Sequence, residues 1–156
     1  MTGAEAVAMR FTAMTTTTIG KTIGFALLAA AATIATPASA QSSIDGKYRD
    51  SDGYIEMTVA PCGSARCGTV TRIIKRKPGE PMNDAHNDDP ALRDRPIKGI
   101  RILQNLRWDD GAWRGQVYNP EDGGTYRTEV RKRGNGSLEV KGCVTFICKT
   151  RIFPAL

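Results

Sequence analysis

The feature that most constrains the fold is an alternation of apolar and polar residues with a period of two, repeated along most of the chain. In "YIEMTVA", Ile55, Met57 and Val59 alternate with Glu56 and Thr58. Successive side chains of a β-strand point to opposite faces, so this pattern indicates a half-buried strand. The same alternation recurs in "CGTVTRII", "IKGIRILQNLRW", "AWRGQVYN", "TYRTEVRKR", "SLEVKGC" and "TFICKTRIF". The chain is therefore predicted to be mainly β.

Tight turn signals separate these strands. The stretches "DSDG", "DDG", "PEDGG" and "RGNG" supply the Gly, Asn and Asp residues that short hairpin turns require. With a short opening strand at "GKYRD", about eight strands follow one another through short links. This order favours an antiparallel up-and-down barrel, whose interior at this size is filled by side chains or holds one small ligand. A β-sandwich is the competing architecture.

Residues 1–40 have the layout of a secretory signal peptide. They contain a basic residue at Lys21, an apolar run from Ile23 to Ala35 and small residues that end an A-x-A site at Ala40. The apolar run is short for a transmembrane helix, although an uncleaved membrane anchor is the alternative. We expect cleavage after Ala40, and a periplasmic or secreted domain at 41–156 without a transmembrane segment.

The four cysteines of an exported domain of this size are predicted to form disulfides. Cys62 and Cys67 in "PCGSARCG" flank good turn residues, so they are expected to face each other across a hairpin. Cys143 and Cys148 in "GCVTFICK" enclose strand formers without a turn residue, and positions five apart on a straight strand point to opposite faces. The expected pairs are Cys62–Cys67 and Cys143–Cys148, and a crossed pairing stays open. A zinc site is disfavoured because the C-x-x-C spacing is missing.

The expected exported domain is basic. Loss of Arg10, Lys21 and Glu5 from 22 basic and 16 acidic side chains leaves a net charge of +5. Basic clusters at Lys75–Lys77 and Arg131–Arg133 would attract polyanions. In the cell envelope the expected partner is an anionic lipid or glycan, and no nucleic acid is expected. Alternatively, both clusters are solvated residues that discourage aggregation between strand edges.

Four stretches together carry a family resemblance: "CGTVTRIIK", "DPALRDRPIKGIRIL", "WRGQVYNPEDGGTYR" and "LEVKGC". They resemble the small exported bacterial family named domain of unknown function 2147, over Gly46 to about Arg151. Its runs NxDPxLRxRPxxG and YNPxDGxTY are the most specific. The resemblance implies an exported, lipocalin-like antiparallel barrel and no established activity. This chain has Tyr48 where relatives usually carry a tryptophan, and "KTRIFPAL" ends without the usual tryptophan.

A long connection, "KRKPGEPMNDAHNDDPALRDRP", has four prolines and no period. As a structural element, it would cover one barrel end, with Arg95 and Asp89 fixing it by charge-assisted hydrogen bonds. As a functional element, it would turn Arg93 or Arg95 inward to bind an anionic group. Tyr118 and Tyr126 flank the next turn and either pack or offer hydroxyls to a ligand.

The predicted interior is nearly all aliphatic, which favours a packed core. Its members are Ile55, Met57, Val59, Val70, Ile100, Ile102, Trp113, Val117, Val130, Leu138, Val140 and Phe146. A small pocket is expected at the end covered by the long connection, apolar below and with Arg95 at its rim, suited to a fatty or aromatic acid. The candidate ligand-binding residues are Arg93, Arg95, Trp113, Tyr118 and Tyr126.

The sequence offers little for catalysis. The cluster "NDAHNDD" lacks the spacing of a calcium loop, and His86 is the only histidine. There is no G-x-S-x-G motif, no phosphate-binding glycine loop and no cysteine without a plausible partner. No catalytic residue, metal or cofactor is predicted, and an enzyme is disfavoured. Binding of a small apolar or lipid-like ligand ranks first, an envelope interaction module using the basic face second, and a hydrolase using loop carboxylates last.

Overall fold

The computed structural model describes residues 41–156, which form one sheet of eight antiparallel strands in chain order. The strands are β1 (Gly46–Arg49), β2 (Ile55–Cys62), β3 (Ala65–Ile73), β4 (Arg101–Asp109), β5 (Ala112–Asn119), β6 (Gly124–Lys132), β7 (Leu138–Val144) and β8 (Ile147–Phe153). The predicted meander is confirmed. The signal peptide and its cleavage site lie outside the described residues and stay a prediction.

The sheet curls until its first and last strands meet. The Arg49 amide donates to the Pro154 carbonyl, and the Ser51 amide donates to the Ile152 carbonyl, both at 3.0 Å. Leu156 donates in turn to the Lys47 carbonyl at 3.0 Å. These bonds use backbone groups that an open sheet edge would leave unpaired, and they close the sheet as a lipocalin-like barrel.

One end of the barrel, which we call the closed end, carries the β2–β3, β4–β5 and β6–β7 turns and is filled by side chains. Ile44, just before β1, is fully buried there and packs in the core. Its carbonyl accepts from the Tyr48 hydroxyl at 3.0 Å, and the Ser42 carbonyl accepts from Trp113 Nε1 at 3.0 Å. Burial of Ile44 stabilises the fold by about 1.5–3 kcal/mol, so the segment before β1 seals this end.

Most residues predicted to face inward belong to the core or pack against it, but Phe146 does not. Its side chain is 86% exposed, and the expectation that it faces inward is wrong. The reason is a hairpin turn at Thr145 and Phe146, where Thr145 has a φ of 53°. This turn ends β7 at Val144 and starts β8 at Ile147, which pair with each other.

Both predicted disulfides are present. Cys62–Cys67 spans the β2–β3 hairpin with a Cα–Cα distance of 5.8 Å, and Cys143–Cys148 spans the β7–β8 hairpin with 4.1 Å. The objection to the second pair assumed one straight strand. Because the chain reverses between the two cysteines, they face each other on neighbouring strands.

The remaining connection, residues 74–100, joins β3 to β4 and contains one turn of 3₁₀-helix, Pro90–Leu92. Asp89 caps it by accepting from the Ala91 amide at 3.0 Å. Within residues 41–156 this turn is the one helical element. That part of the chain contains no helix long and apolar enough to cross a bilayer.

Candidate functional site

The other end of the barrel, which we call the open end, contains a cavity of about 430 Å³. The β1–β2, β5–β6 and β7–β8 turns and the β3–β4 connection surround it. Its wall is apolar and includes Val70, Ile102, Leu103, Val117, Val140 and Phe153. Its rim is polar and includes Lys75, His86, Asp122, Tyr126, Lys149 and Arg151. A hollow therefore lies where the sequence predicts one, beside the long connection.

A second depression, of about 580 Å³, lies along the β3–β4 connection and the first half of β4. Lys98, Arg101, Gln104 and Asn105 contribute to its lining, and all four are at least partly exposed. It is a shallow polar surface feature. The apolar cavity inside the barrel is therefore the better candidate for a ligand site.

Two of the five candidate ligand-binding residues line the cavity. Tyr118 and Tyr126 lie on opposite sides of the β5–β6 turn and both contribute to the lining. Trp113 lies instead at the closed end, where the Arg66 guanidinium stands 5.5 Å from its ring centroid. Arg93 and Arg95 belong to the β3–β4 connection and do not line the cavity. The structure thus does not bring the five residues together in one place.

Arg95 is held by Asp84, a fully buried residue of the same connection. Asp84 Oδ2 accepts from Arg95 Nε at 2.9 Å and from Asn87 Nδ2 at 2.8 Å, and Oδ1 accepts from the Tyr118 hydroxyl at 2.5 Å. Burial, followed by the hydrogen bond to Asp84, raises the pKa of Tyr118. These bonds tie the connection to itself and to β5, and Asp84 is the acceptor that they share. The structural interpretation of the sequence predicted such a role for Arg95.

Arg93 has a similar internal role. Its Nε donates to the Asn87 carbonyl at 2.8 Å. Asn87 Oδ1 accepts from the Asp89 amide at 2.9 Å, just before the 3₁₀ turn. Both arginines of the "LRDRP" stretch therefore hold the backbone or a carboxylate of their own connection. Neither forms the cationic rim that the sequence suggested for an acid ligand.

The β5–β6 turn packs tightly on this connection. Gly123 has a φ of 74°, and a Cβ there would overlap the His86 carbonyl. Beside it, the pKa of Asp122 is lowered. Burial by itself would raise this pKa, but hydrogen bonds from the Gly124 amide, Asn119 and Tyr126 outweigh the effect of burial. The Tyr126 hydroxyl is engaged by this bond at 2.9 Å. Asp122 is thus a turn residue, in agreement with the turn signal of "PEDGG".

The rim of the cavity carries both acidic and basic groups, and they differ in whether they form ion pairs. Lys77 Nζ contacts Glu121 at 2.6 Å and Glu80 at 3.3 Å. By contrast, Lys75 and Lys149 line the cavity without an ion pair among the described residues, and Lys75 Nζ stands 4.9 Å from the Tyr54 ring centroid. The mouth therefore combines acidic groups with lysines that form no ion pair within residues 41–156.

Sequence reasoning missed one residue of the cavity wall, Asp50. It directly follows β1, lines the cavity and is 6% exposed. One carboxylate oxygen, Oδ2, accepts from the Tyr54 amide at 3.4 Å, while Oδ1 has no hydrogen-bond partner among the residues that the structure describes. The stretch "DSDG" gave a turn signal, and Asp50 does accept from Gly53 through its backbone carbonyl at 2.8 Å. Nothing local in that signal indicates that its side chain is buried.

The β7–β8 turn forms an exposed apolar tip, which we define as Val144–Ile147. The exposed fractions are 55% for Val144, 86% for Phe146 and 64% for Ile147. Val144 and Ile147 also line the cavity, so the tip stands at its mouth. The Cys143–Cys148 disulfide joins the two strands directly below it.

The polar groups around the cavity are mostly engaged with one another. Within residues 41–156, no group of three His, Cys, Asp or Glu side chains is placed to hold a metal ion. The acids closest to the cavity are occupied by cations or by turn hydrogen bonds, apart from Asp50. The cavity offers apolar surface, one buried acceptor and a mouth with charged groups of both signs.

Comparison with known proteins agrees with this architecture. A family model described as an uncharacterized protein conserved in bacteria, DUF2147, matches residues 46–154. No match is found among curated proteins. Among solved structures, protein HP1028 from the human pathogen Helicobacter pylori, described as belonging to the lipocalin family, is similar with a TM-score of 0.63 and 22% sequence identity. The match covers 74% of this chain and 84% of that one, and at this identity it shows the fold.

Proposed function

The chain belongs to the DUF2147 family of bacterial proteins, and from its lipocalin-like barrel we propose that it binds a small apolar or lipid-like ligand in the cavity of the open end. The observation that carries this proposal is the cavity itself, about 430 Å³ of space with an apolar wall. Sites for small molecules typically have volumes of about 300–1,000 Å³ and few polar groups. The cavity has a volume in this range, and its polar groups are concentrated at the rim above an apolar wall.

The physical basis of this proposal is the contrast between the two barrel ends. At the closed end, Ile44 and Trp113 complete a packed core. At the open end, apolar side chains such as Ile102 and Val140 border empty space. An apolar ligand that covers about 200 Å² of such surface would gain about 5 kcal/mol. Part of this gain is offset by the lost freedom of the ligand.

We place this activity in the cell envelope or outside the cell. The signal pattern of residues 1–40 supports that location, and so do the two disulfides, which persist in oxidising compartments. Export would put the open end of the barrel in contact with membrane surfaces and with the apolar molecules they contain.

A second candidate function, contact with an anionic lipid surface, is favoured by the apolar tip. Arg127, Lys141 and Lys149 lie on the strands directly below it, and none of them forms an ion pair among the described residues. Cationic side chains beside an exposed phenylalanine suit a negatively charged bilayer.

The basic clusters noted in the sequence support that second function less well than the tip does. Lys77 binds two glutamates, Arg131 binds Glu129 at 2.6 Å, and Arg133 lies 4.0 Å from Glu139. Half of the six basic side chains in the two clusters are therefore compensated. This arrangement favours their interpretation as solvated strand and turn residues.

Native mass spectrometry of the protein purified from its own host tests the ligand proposal. We expect a fraction of molecules to carry one apolar ligand, released by organic extraction. Refolded protein, stripped of this ligand, should take up an alkyl probe with one-to-one stoichiometry. Ligand-free protein that also binds no alkyl probe would contradict the proposed function.

A further inference from the structure

The interior of the cavity contains one polar side chain whose hydrogen bonding is incomplete. Asp50 is more than nine-tenths buried, and its Oδ1 has no partner within residues 41–156. In that part of the chain, the one bond to the carboxylate is the long contact of 3.4 Å from the Tyr54 amide to Oδ2. Buried polar atoms are almost always paired, and an unpaired one is a place where a partner is missing.

The neighbouring basic groups do not supply that partner. Asp50 forms no ion pair with any described residue. Arg151 also lines the cavity, but it binds Asp52 at 2.9 Å. The other buried aspartate among the described residues, Asp84, offers a contrast. Asp84 has Arg95, Asn87 and Tyr118 as donors, so both of its oxygens are satisfied. Asp50 is also buried, but its carboxylate accepts a single long hydrogen bond within the described part of the chain.

The backbone explains why Asp50 points to the interior. Tyr48, two residues earlier, is buried in the core. Backbone pairing with residues 152–154 continues past the end of β1 to Ser51, so Asp50 keeps the alternation of the strand and shares the face of Tyr48. The Ser51 amide bonds to the Ile152 carbonyl, which places Asp50 beside Phe153 of the cavity wall. Asp50 therefore lies among apolar neighbours in the wall of the cavity that a ligand would fill.

Resting on the proposed function, we propose that the ligand of this cavity is an apolar molecule with a hydrogen-bond donor, a hydroxyl or an ammonium group, which binds Asp50. A buried carboxylate oxygen accepts and cannot donate, so it selects for a donor. It selects against a carboxylate or an ether at the same position, because neither has a proton to offer. The ligand class thus differs from the fatty or aromatic acid that the sequence suggested.

Three probes of one chain length test this inference on the full protein. Decan-1-ol and methyl nonyl ether are isomers, so they match in size, but only the alcohol can donate. Decylamine adds a charged donor. We expect the alcohol to bind the wild type about tenfold more tightly than the ether, since a hydrogen bond to a charged group is among the stronger ones.

Substitutions at Asp50 connect this preference to the residue. Asp50→Leu should abolish the difference between alcohol and ether while the ether still binds. Asp50→Asn should keep the preference for the alcohol, because an amide oxygen also accepts, but should weaken decylamine binding. The matched control is Asp52→Asn at an exposed residue outside the cavity, which should leave all three affinities unchanged.

The outcomes separate this inference from the function on which it rests. If no probe binds the wild type, the cavity is not an apolar binding site and the proposed function is contradicted. If alcohol and ether bind the wild type equally well, the cavity binds apolar molecules but Asp50 does not select among them. Persistence of the preference in a folded Asp50→Leu variant would also overturn the assignment. The wild-type comparison decides the question even if that variant does not fold.

Discussion

The Tyr118 hydroxyl donates to Asp84 Oδ1 at 2.5 Å, which joins β5 of the barrel to the β3–β4 connection at a fully buried acid. The two residues are 34 positions apart. Their bond is the central contact that holds the connection beside the cavity. Removing one partner would leave a buried charge with fewer donors, which is costlier than losing an exposed hydrogen bond.

We therefore expect Tyr118→Phe to lower the free energy of unfolding by about 1–3 kcal/mol. Urea denaturation followed by circular dichroism measures this loss. Tyr126→Phe is the matched control, since its hydroxyl bonds to the exposed Asp122, and its effect should stay within about 0.5 kcal/mol. Equal effects of the two substitutions would show that the buried bond is not special.

The raised pKa of Tyr118 predicts a loss of stability in alkaline solution. Folding favours the neutral phenol, so this contribution is complete below the ordinary value of 10.0 and is lost as the pH rises from there towards the raised pKa. Wild-type stability should therefore fall more steeply above about pH 10 than that of Tyr118→Phe. Denaturation series between pH 8 and 11 test it, and parallel curves would refute it.

The two buried aspartates should respond to substitution with opposite signs. Asp50→Asn removes the charge from an incompletely bonded group, so we expect stability to rise by about 1 kcal/mol. Asp84→Asn disturbs three donors and should reduce stability by about 3 kcal/mol or more. Thermal and urea denaturation of both variants provide the measurement. A stability loss at Asp50 would indicate a structural role instead of a ligand-binding one.

Filling the cavity should block ligand binding without affecting the fold. Val117 is half-buried and lines the cavity, so Val117→Phe places a ring in the space that a ligand needs. We expect affinity for alkyl probes to fall by about tenfold or more, equivalent to about 1.4 kcal/mol. Ile74→Phe, at an exposed position outside the lining, should bind as the wild type does. Unchanged affinity in Val117→Phe would place the binding site elsewhere.

The apolar tip predicts binding to anionic vesicles. Phe146→Ser removes the most exposed apolar side chain, and binding should weaken by about tenfold or more, given the transfer free energy of a phenylalanine. Leu156→Ser is the control, because Leu156 is also exposed but lies at the closed end. Flotation with vesicles containing phosphatidylglycerol is the measurement. An equal loss in both variants, or no binding at all, would argue against the tip.

Much of the fold was predictable because its signals are local. Alternation identifies a half-buried strand from a few consecutive residues, and Gly, Asn and Asp mark the turns between strands. The β7–β8 hairpin escaped this reasoning, since Thr145 adopts a positive φ without being one of those residues. Its turn depends on the pairing of Val144 with Ile147 and on the disulfide below them.

By itself, the sequence determined the order of the strands, the Cys62–Cys67 disulfide across its hairpin and the end of the barrel at which the long connection lies. Only the tertiary structure decided that Trp113 lies at the closed end, that Asp84 takes Arg95 away from the cavity, and that Asp50 is buried in the wall. The physical reason is that alternation reports whether a side chain points inward but not its height along the barrel. That height depends on register and closure between distant strands, and so on contacts that no short stretch of sequence contains.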